Sequence, residues 1–421
     1  MKRKSSTMDL DLSSNERLYI DNKSPFHPKK YNNFKPYGLK IYTFNSGLKK
    51  KFDDLLIIVF DKTVKSANIY SKTSTPSAPI IWDKKYNKGK VKVLIVNSGN
   101  ANAHTGNKGL NIINKYTSYL AKYISCSKSE ILVSSTGVIG EHFDPKLIIN
   151  QISKINKTKS KDILSAAKSI MTTDTYPKIS MKRITIDRKS FKIYGFAKGS
   201  GMIHPNMGTM LAYIFIEASI EKNLLNMLLK ANTDDTFNSI SVDTDTSTSD
   251  TLILFSLNKE KINFKKNKNF KILNKALHEL MKDLSLKIIK DGEGITKLLK
   301  VYVTNAQTKK QAKNIGMSII SSPLVKTAVS GEDANWGRVI MAIGKTREKI
   351  DQNKIKILFG KNLVCQNGSI YPKININKLD VYMKQKNINI TVNLNNGKSK
   401  HTVYGNDLSH QYIKINSDYR S

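Results

Sequence analysis

Residues 197–218 read AKGSGMIHPNMGTMLAYIFIEA. The stretch changes character at Thr209. Before it come Gly199, Gly201, Pro205, Asn206 and Gly208, residues that free or fix φ and so build turns. After it, MLAYIFIEA carries no charge before Glu217 and reads as a buried strand. A pliant turn running straight into a core strand places the hydroxyl of Thr209 at the end of a sheet.

The same alternation recurs on both sides. Low-charge segments rich in Gly, Thr, Asn and Asp punctuate a basic chain: VNSGNANAHTGNKG (96–109), SSTGVIG (134–140), MTTDTYPK (171–178), SVDTDTSTSDT (241–251), KDGEGITK (290–297) and SGEDANWGR (330–338). Two follow strand-like runs, at 91–96 (VKVLIV) and 131–134. Loops leaving a sheet are common mounts for polar chemistry, although any one of them alone reads as a simple turn. Residues 221–233 and 274–289 carry apolar side chains at helical spacing, and 251–257 (TLILFSL) reads as a strand. From 354 onward the chain alternates like paired strands: NINITVNLNN, then SKHTVYGND, then HQYIKIN. Helices and strands mix without a strict βαβ rhythm.

Bulk properties narrow the class. The 421 residues suit two domains, or one large domain with an appendage. No apolar run is long enough to span a membrane. The basic start MKRKSSTMDLDLSSNERLYI lacks an apolar core and carries Asp9, Asp11 and Glu16, so neither a secretory signal nor a transit peptide is expected. Residues 1–33 read as a loose polar, basic extension, and cytoplasmic residence is the default. Two cysteines, Cys126 and Cys365, suggest neither a disulfide framework nor a zinc site. The net charge of +37 raises nucleic-acid binding as a rival reading. The lysines, however, are spread along solvated segments with Asn and Ile, and no recognition motif accompanies them. No specific nucleic-acid partner is expected.

A threonine hydroxyl is a weak nucleophile near neutrality and needs a base beside it. If Thr209 became the first residue of a chain, its own α-amine, with a reference pKa of about 7.7–8.0, would serve. The preceding residue must be small, because the hydroxyl has to reach the carbonyl before it, and Gly208 meets that need. Local chemistry alone does not single Thr209 out from the other threonines.

The ordered set NSGNANA, SSTGVIG, MTTDT-x-PK, AKGSGMIHPNM-x-TML, VD-x-DTST-x-DT, DGEG-x-TK, SPLVKTA, GED-x-NWGR and KINSDY does. Over about residues 42–421 the chain resembles the ornithine acetyltransferases of arginine biosynthesis, also called glutamate N-acetyltransferases, some of which double as N-acetylglutamate synthases. The resemblance implies a mixed α/β (α+β) fold: a four-layer α/β/β/α sandwich similar to self-processing aminopeptidases, with a smaller α/β domain within about 300–421. It implies self-cleavage between Gly208 and Thr209. The fragments 1–208 and 209–421 would stay together, and two pairs would form an α2β2 heterotetramer. Thr209 would take acetyl from N-acetylornithine and pass it to glutamate, with no metal or cofactor. Acetyl-CoA is a second donor that no residue decides.

By the same resemblance Thr136 and Gly137 form the oxyanion pair. Substrate contacts fall to Thr175 (with Thr173 a near alternative), Lys198, Glu293 for an ammonium group, Asn416 and Ser421. The chain departs from the family pattern at Gly208 (usually Ala), His104 (often Cys), Thr244 (often Gly) and Ala334 (often Pro). Two rival readings are a self-processing amidase or aminopeptidase of the same architecture and a non-enzymatic basic binding protein.

Overall fold

The computed structural model describes residues 23–204 and 210–418. Gly208, Thr209 and Ser421 lie outside the described residues.

The strands of the first sheet are β1 (Leu39–Phe44), β2 (Leu55–Tyr70), β3 (Lys90–Asn100), β4 (Ile131–Val138), β5 (Lys178–Ile186), β6 (Lys189–Lys198), β7 (Leu211–Ser219) and, beyond a short β8 (Ile240–Ser241) that belongs elsewhere, β9 (Thr251–Lys261). Their order is β4-β3-β2-β9-β7-β6-β5, with β1 on β2. The long β2 makes this one sheet serve as two layers. Its first half, from Leu55, runs between β1 and β3, while its second half, Lys65 to Tyr70, pairs with β9.

The side-chain period of two explains why LLIIVF (55–60) carries no polar face. Leu56, Ile58 and Phe60 point inward, where they meet Tyr194, Phe196, Tyr213, Phe215, Ile253 and Phe255 from the other layer. Leu55 and Ile57 point outward into a second core with α1 (Ala78–Tyr86), α2 (Gly106–Ile124) and α3 (Lys146–Ile152). The outer face of β6, β7 and β9 carries Ile193, Ile214, Ile216 and Leu254. It is covered by α5 (Lys222–Thr233) and α6 (Asn267–Ile289), while α4 (Ile163–Ser169) closes the inner core beside β1. Helix, sheet, sheet and helix therefore stack as four layers. Each fully buried Leu, Ile or Phe stabilises this arrangement by roughly 1.5–3 kcal/mol. A one-residue slip of β2 would exchange its two cores, which fixes the register.

The second sheet holds β10 (Leu298–Ala306), β11 (Lys356–Phe359), β12 (Asn362–Gln366), β13 (Ser369–Ile370), β14 (Asn387–Asn393) and β15 (Ser399–Asn406), in the order β13-β12-β11-β14-β10-β15-β8. Its core is completed by α7 (Lys309–Ile320), α8 (Pro323–Ser330) and α9 (Trp336–Gly344). The pairing of β8 with Tyr404 and Gly405 ties the two sheets together.

Three readings of local structure change. Residues 410–416, expected as a strand, lie in a helix, α11 (His410–Ser417), after α10 (Ile376–Met383). The Ser409 hydroxyl accepts from the Gln411 amide and starts that helix, and only Ile415 is buried, so a two-residue alternation has nothing to face. The strands at 387–393 and 399–406 do not pair with each other. Both flank β10, β14 in parallel and β15 antiparallel. Thr136 and Gly137 lie inside β4 rather than in a loop after it.

Candidate active site

Thr136 and Gly137 owe their placement to β3. The two strands run in parallel with Ser98 opposite Thr136 and Gly99 opposite Gly137. Gly137 has φ +131°, and a Cβ there would sit 2.3 Å from the carbonyl carbon of Gly99. Only a glycine lets the strands close so tightly. The Ser135 hydroxyl donates to Asn97 Oδ1 at 2.6 Å, and Asn97 Nδ2 donates to the Asn100 carbonyl at 2.8 Å. The NSGNANA segment is thus the frame that holds the end of β4.

Lys198 ends β6, opposite Leu211 of β7. Its Nζ donates to Thr136 Oγ1 at 3.0 Å, with the lysine 3% exposed. Burial pushes the lysine below its ordinary pKa, and the carboxylate of Asp174 opposes that shift. Asp174 itself is held below the usual carboxylate range. Its burial works against ionisation, but Lys178 and Lys198 outweigh it.

A fully buried ion cluster sets the next wall. Lys178 Nζ lies 2.6 Å from both Asp174 and Asp291. Asp174 also accepts from the amides of Gly199 at 2.7 Å and Thr172 at 3.0 Å. Asp291 accepts from both the amide and the hydroxyl of Thr175. The MTTDT loop is thereby fastened to DGEG, and Thr175 is spent on that fastening. Thr173, not Thr175, faces the cavity, where its hydroxyl bonds Ser200 Oγ at 2.6 Å and also Glu293.

Glu293 is buried, and burial raises its pKa while hydrogen bonds from Thr173 and Asn416 counter the rise. Asn416, on α11, donates to its Oε2 at 2.9 Å. Opposite stands Gly201, where a Cβ would lie 2.3 Å from the same oxygen.

Thr136, Gly137, Thr173, Lys198, Glu293 and Asn416 together line one cavity of about 260 Å³. Segments far apart in the chain therefore meet at one place, and of the expected contacts within the described residues only Thr175 does not line it; it lines an adjoining pocket of about 200 Å³ with Thr173 and Glu293. Sequence reasoning gave no role to Asp174, Lys178 or Asp291. The only hint was their place in low-charge segments. Among the described residues no three His, Cys, Asp or Glu side chains gather as a metal-ligand set, and no helix is long and apolar enough to cross a membrane.

A polar cavity at the edge of a four-layer sandwich, with a buried lysine on a threonine hydroxyl and a carboxylate opposite, has the donors that acyl transfer calls for. The chain belongs to the ArgJ family, whose model matches residues 40–421. It is 42% identical over 390 residues to the arginine biosynthesis bifunctional protein ArgJ of Bartonella henselae, spanning 91% of this chain and 95% of that one. The protein of the same description from Bradyrhizobium diazoefficiens is 41% identical over 393 residues, again 91% and 95%. A solved arginine biosynthesis bifunctional protein argJ from Bacillus halodurans is 34% identical, covers 50% of this chain and 99% of its own, and superposes with a TM-score of 0.47.

Proposed function

We propose that the chain cuts itself between Gly208 and Thr209 and then, as an ornithine acetyltransferase of arginine biosynthesis, moves acetyl from N-acetylornithine to glutamate through an acetyl-Thr209 ester. The observation that carries the reading is the convergence of Thr136, Gly137, Thr173, Lys198, Glu293 and Asn416 on one cavity. Ser247, Thr248 and Ser249 line the same cavity, and the next residue, Asp250, holds the amide of Met210, the residue after Thr209.

Each group has a chemical task. The α-amine of Thr209 takes the hydroxyl proton as Oγ attacks the acetyl carbonyl. The Thr136 hydroxyl and the Gly137 amide stabilise the oxygen that becomes negative. The C–N bond then breaks, the proton passes to the departing amine, and ornithine leaves. Glutamate attacks the ester by the same route in reverse and restores the free hydroxyl. Glu293, oriented by Thr173 and Asn416, suits the ammonium group of the donor. Lys198 suits a substrate carboxylate and polarises Thr136. The reaction as written uses no metal or cofactor. The fragments 1–208 and 209–421 remain one unit, two units form a heterotetramer, and the enzyme works in the cytoplasm.

Denaturing mass analysis tests the cut: fragments meeting at Gly208–Thr209 are expected, and Thr209→Ala should abolish both cleavage and transfer. Supplying N-acetylornithine with and without glutamate separates transferase from hydrolase. Equal acetate release in both would reject the transferase. Replacing N-acetylornithine by acetyl-CoA settles the second donor.

A further inference from the structure

One loop grips the chain on both sides of the bond proposed to break. On the N-terminal side, Asp243 accepts from the amides of Met202 at 2.5 Å and Ile203 at 2.9 Å, and the Val242 amide donates to the Ile203 carbonyl at 2.8 Å. On the C-terminal side, Asp250 Oδ1 accepts from the amide of Met210 at 2.8 Å, and the Thr251 amide donates to the Met210 carbonyl at 3.0 Å. Asp250 is fully buried, and its Oδ2 has no hydrogen-bond partner among the described residues. A buried oxygen left without a partner is a cost to stability, and where such a cost persists it asks for an explanation other than stability. Buried hydrogen bonds from backbone amides also fix a chain segment.

We propose that residues 242–251 act as a splint across the self-cleavage bond, with Asp243 and Asp250 as positioning residues for that reaction. The inference rests on Gly208–Thr209 being the bond that is cut. In the reaction, Thr209 Oγ bonds to the Gly208 carbonyl carbon as the C–N bond breaks, and the hydroxyl proton moves to nitrogen to give the α-amine. Water then hydrolyses the ester to the Gly208 carboxylic acid and the free Thr209 hydroxyl. The first step needs the oxygen held against a carbonyl of its own backbone. Fixing both flanks on one loop removes much of the freedom that opposes this. The splint is contributed by the fragment 209–421, yet it binds Met202 and Ile203 of the other fragment, so it also retains the new end beside the cavity.

The test follows cleavage of the freshly synthesised full chain by denaturing mass spectrometry. Asp243→Ala and Asp250→Ala are expected to slow cutting by at least about ten-fold, and Asp243→Asn and Asp250→Asn, which keep one acceptor oxygen, by less. Asp351→Asn, an exposed site in the second domain, serves as a control expected to cut at the parental rate. Each alanine variant is also placed in the uncleavable Thr209→Ala background and melted. Parental melting with slow cutting supports positioning. Cutting within about two-fold of the parent in both alanine variants, or slowing that only tracks loss of folding, overturns the splint. Failure of the parent to cut at Gly208–Thr209, or cutting of Thr209→Ala, would instead defeat the functional reading beneath it.

Discussion

The buried ammonium of Lys198 donates to the hydroxyl of Thr136 across 3.0 Å. The lysine thereby commits the Thr136 oxygen as an acceptor and leaves its proton free to be donated. The two residues should act as one device. Thr136→Val and Lys198→Met are each expected to lower kcat by about 10²–10³-fold, the range for losing one oxyanion donor. The double variant should be little worse than the poorer single one, because coupled groups are not additive. Initial rates with N-acetylornithine and glutamate decide it. Multiplying effects would show two independent roles.

Gly201 leaves room for the Glu293 carboxylate, since a Cβ at 201 would fall 2.3 Å from Oε2. The clash is with the free end of a side chain, so Gly201→Ala should fold and push Glu293 aside. KM for N-acetylornithine is expected to rise about ten-fold or more, the scale of a lost charge-assisted bond. An unchanged KM would remove Glu293 from substrate recognition.

Thr173 and Thr175 should separate cleanly. Thr173→Val takes a hydroxyl from the cavity wall and is expected to raise KM with little change in melting. Thr175→Val breaks the bond to the buried Asp291 and should cost about 1–3 kcal/mol of stability while KM holds. Urea midpoints and substrate titrations on both variants give the answer, and reversed effects would return Thr175 to the binding role.

His401 is expected to make the second sheet acid-sensitive. The ring is buried against Ser239, with Nε2 to Oγ at 2.8 Å, and burial lowers its pKa although Asp235 opposes the shift. The folded chain thus binds this proton more weakly than the unfolded chain does. Its contribution to stability is present above the ordinary histidine pKa of about 6.5 and is lost as pH falls from there through the folded value. His401→Gln should flatten that loss in urea midpoints taken from neutral to mildly acidic pH. An equally steep loss in the variant would rule His401 out as its source.

The sequence showed the low-charge segments, and their order carried the family resemblance. It could not show which side chains in each segment face the cavity. Thr173 and Thr175 stand in equivalent surroundings along the chain, and only the distant Asp291 decides between them. Asp243 and Asp250 read as acids in a soluble Thr/Ser run, and their grip on Ile203 and Met210 is set by tertiary folding. HQYIKIN misled because its apolar residues fit either period, and Ser409, which caps a helix in the fold, reads along the chain as an ordinary turn residue. The four-layer stack follows from β2, whose unbroken LLIIVF requires cover on both faces.

In the order β4-β3-β2-β9-β7-β6-β5, strands β9 and β7 come after residue 209, yet they sit between β2 and β6, which come before it. The proposed cut would therefore yield two polypeptides woven through one another rather than laid side by side. Neither could leave without unzipping the middle of the sheet. Isotopically light and heavy enzyme, once mixed, should trade fragments no faster than the molecule unfolds, so each cut enzyme keeps for life the two pieces it was made from.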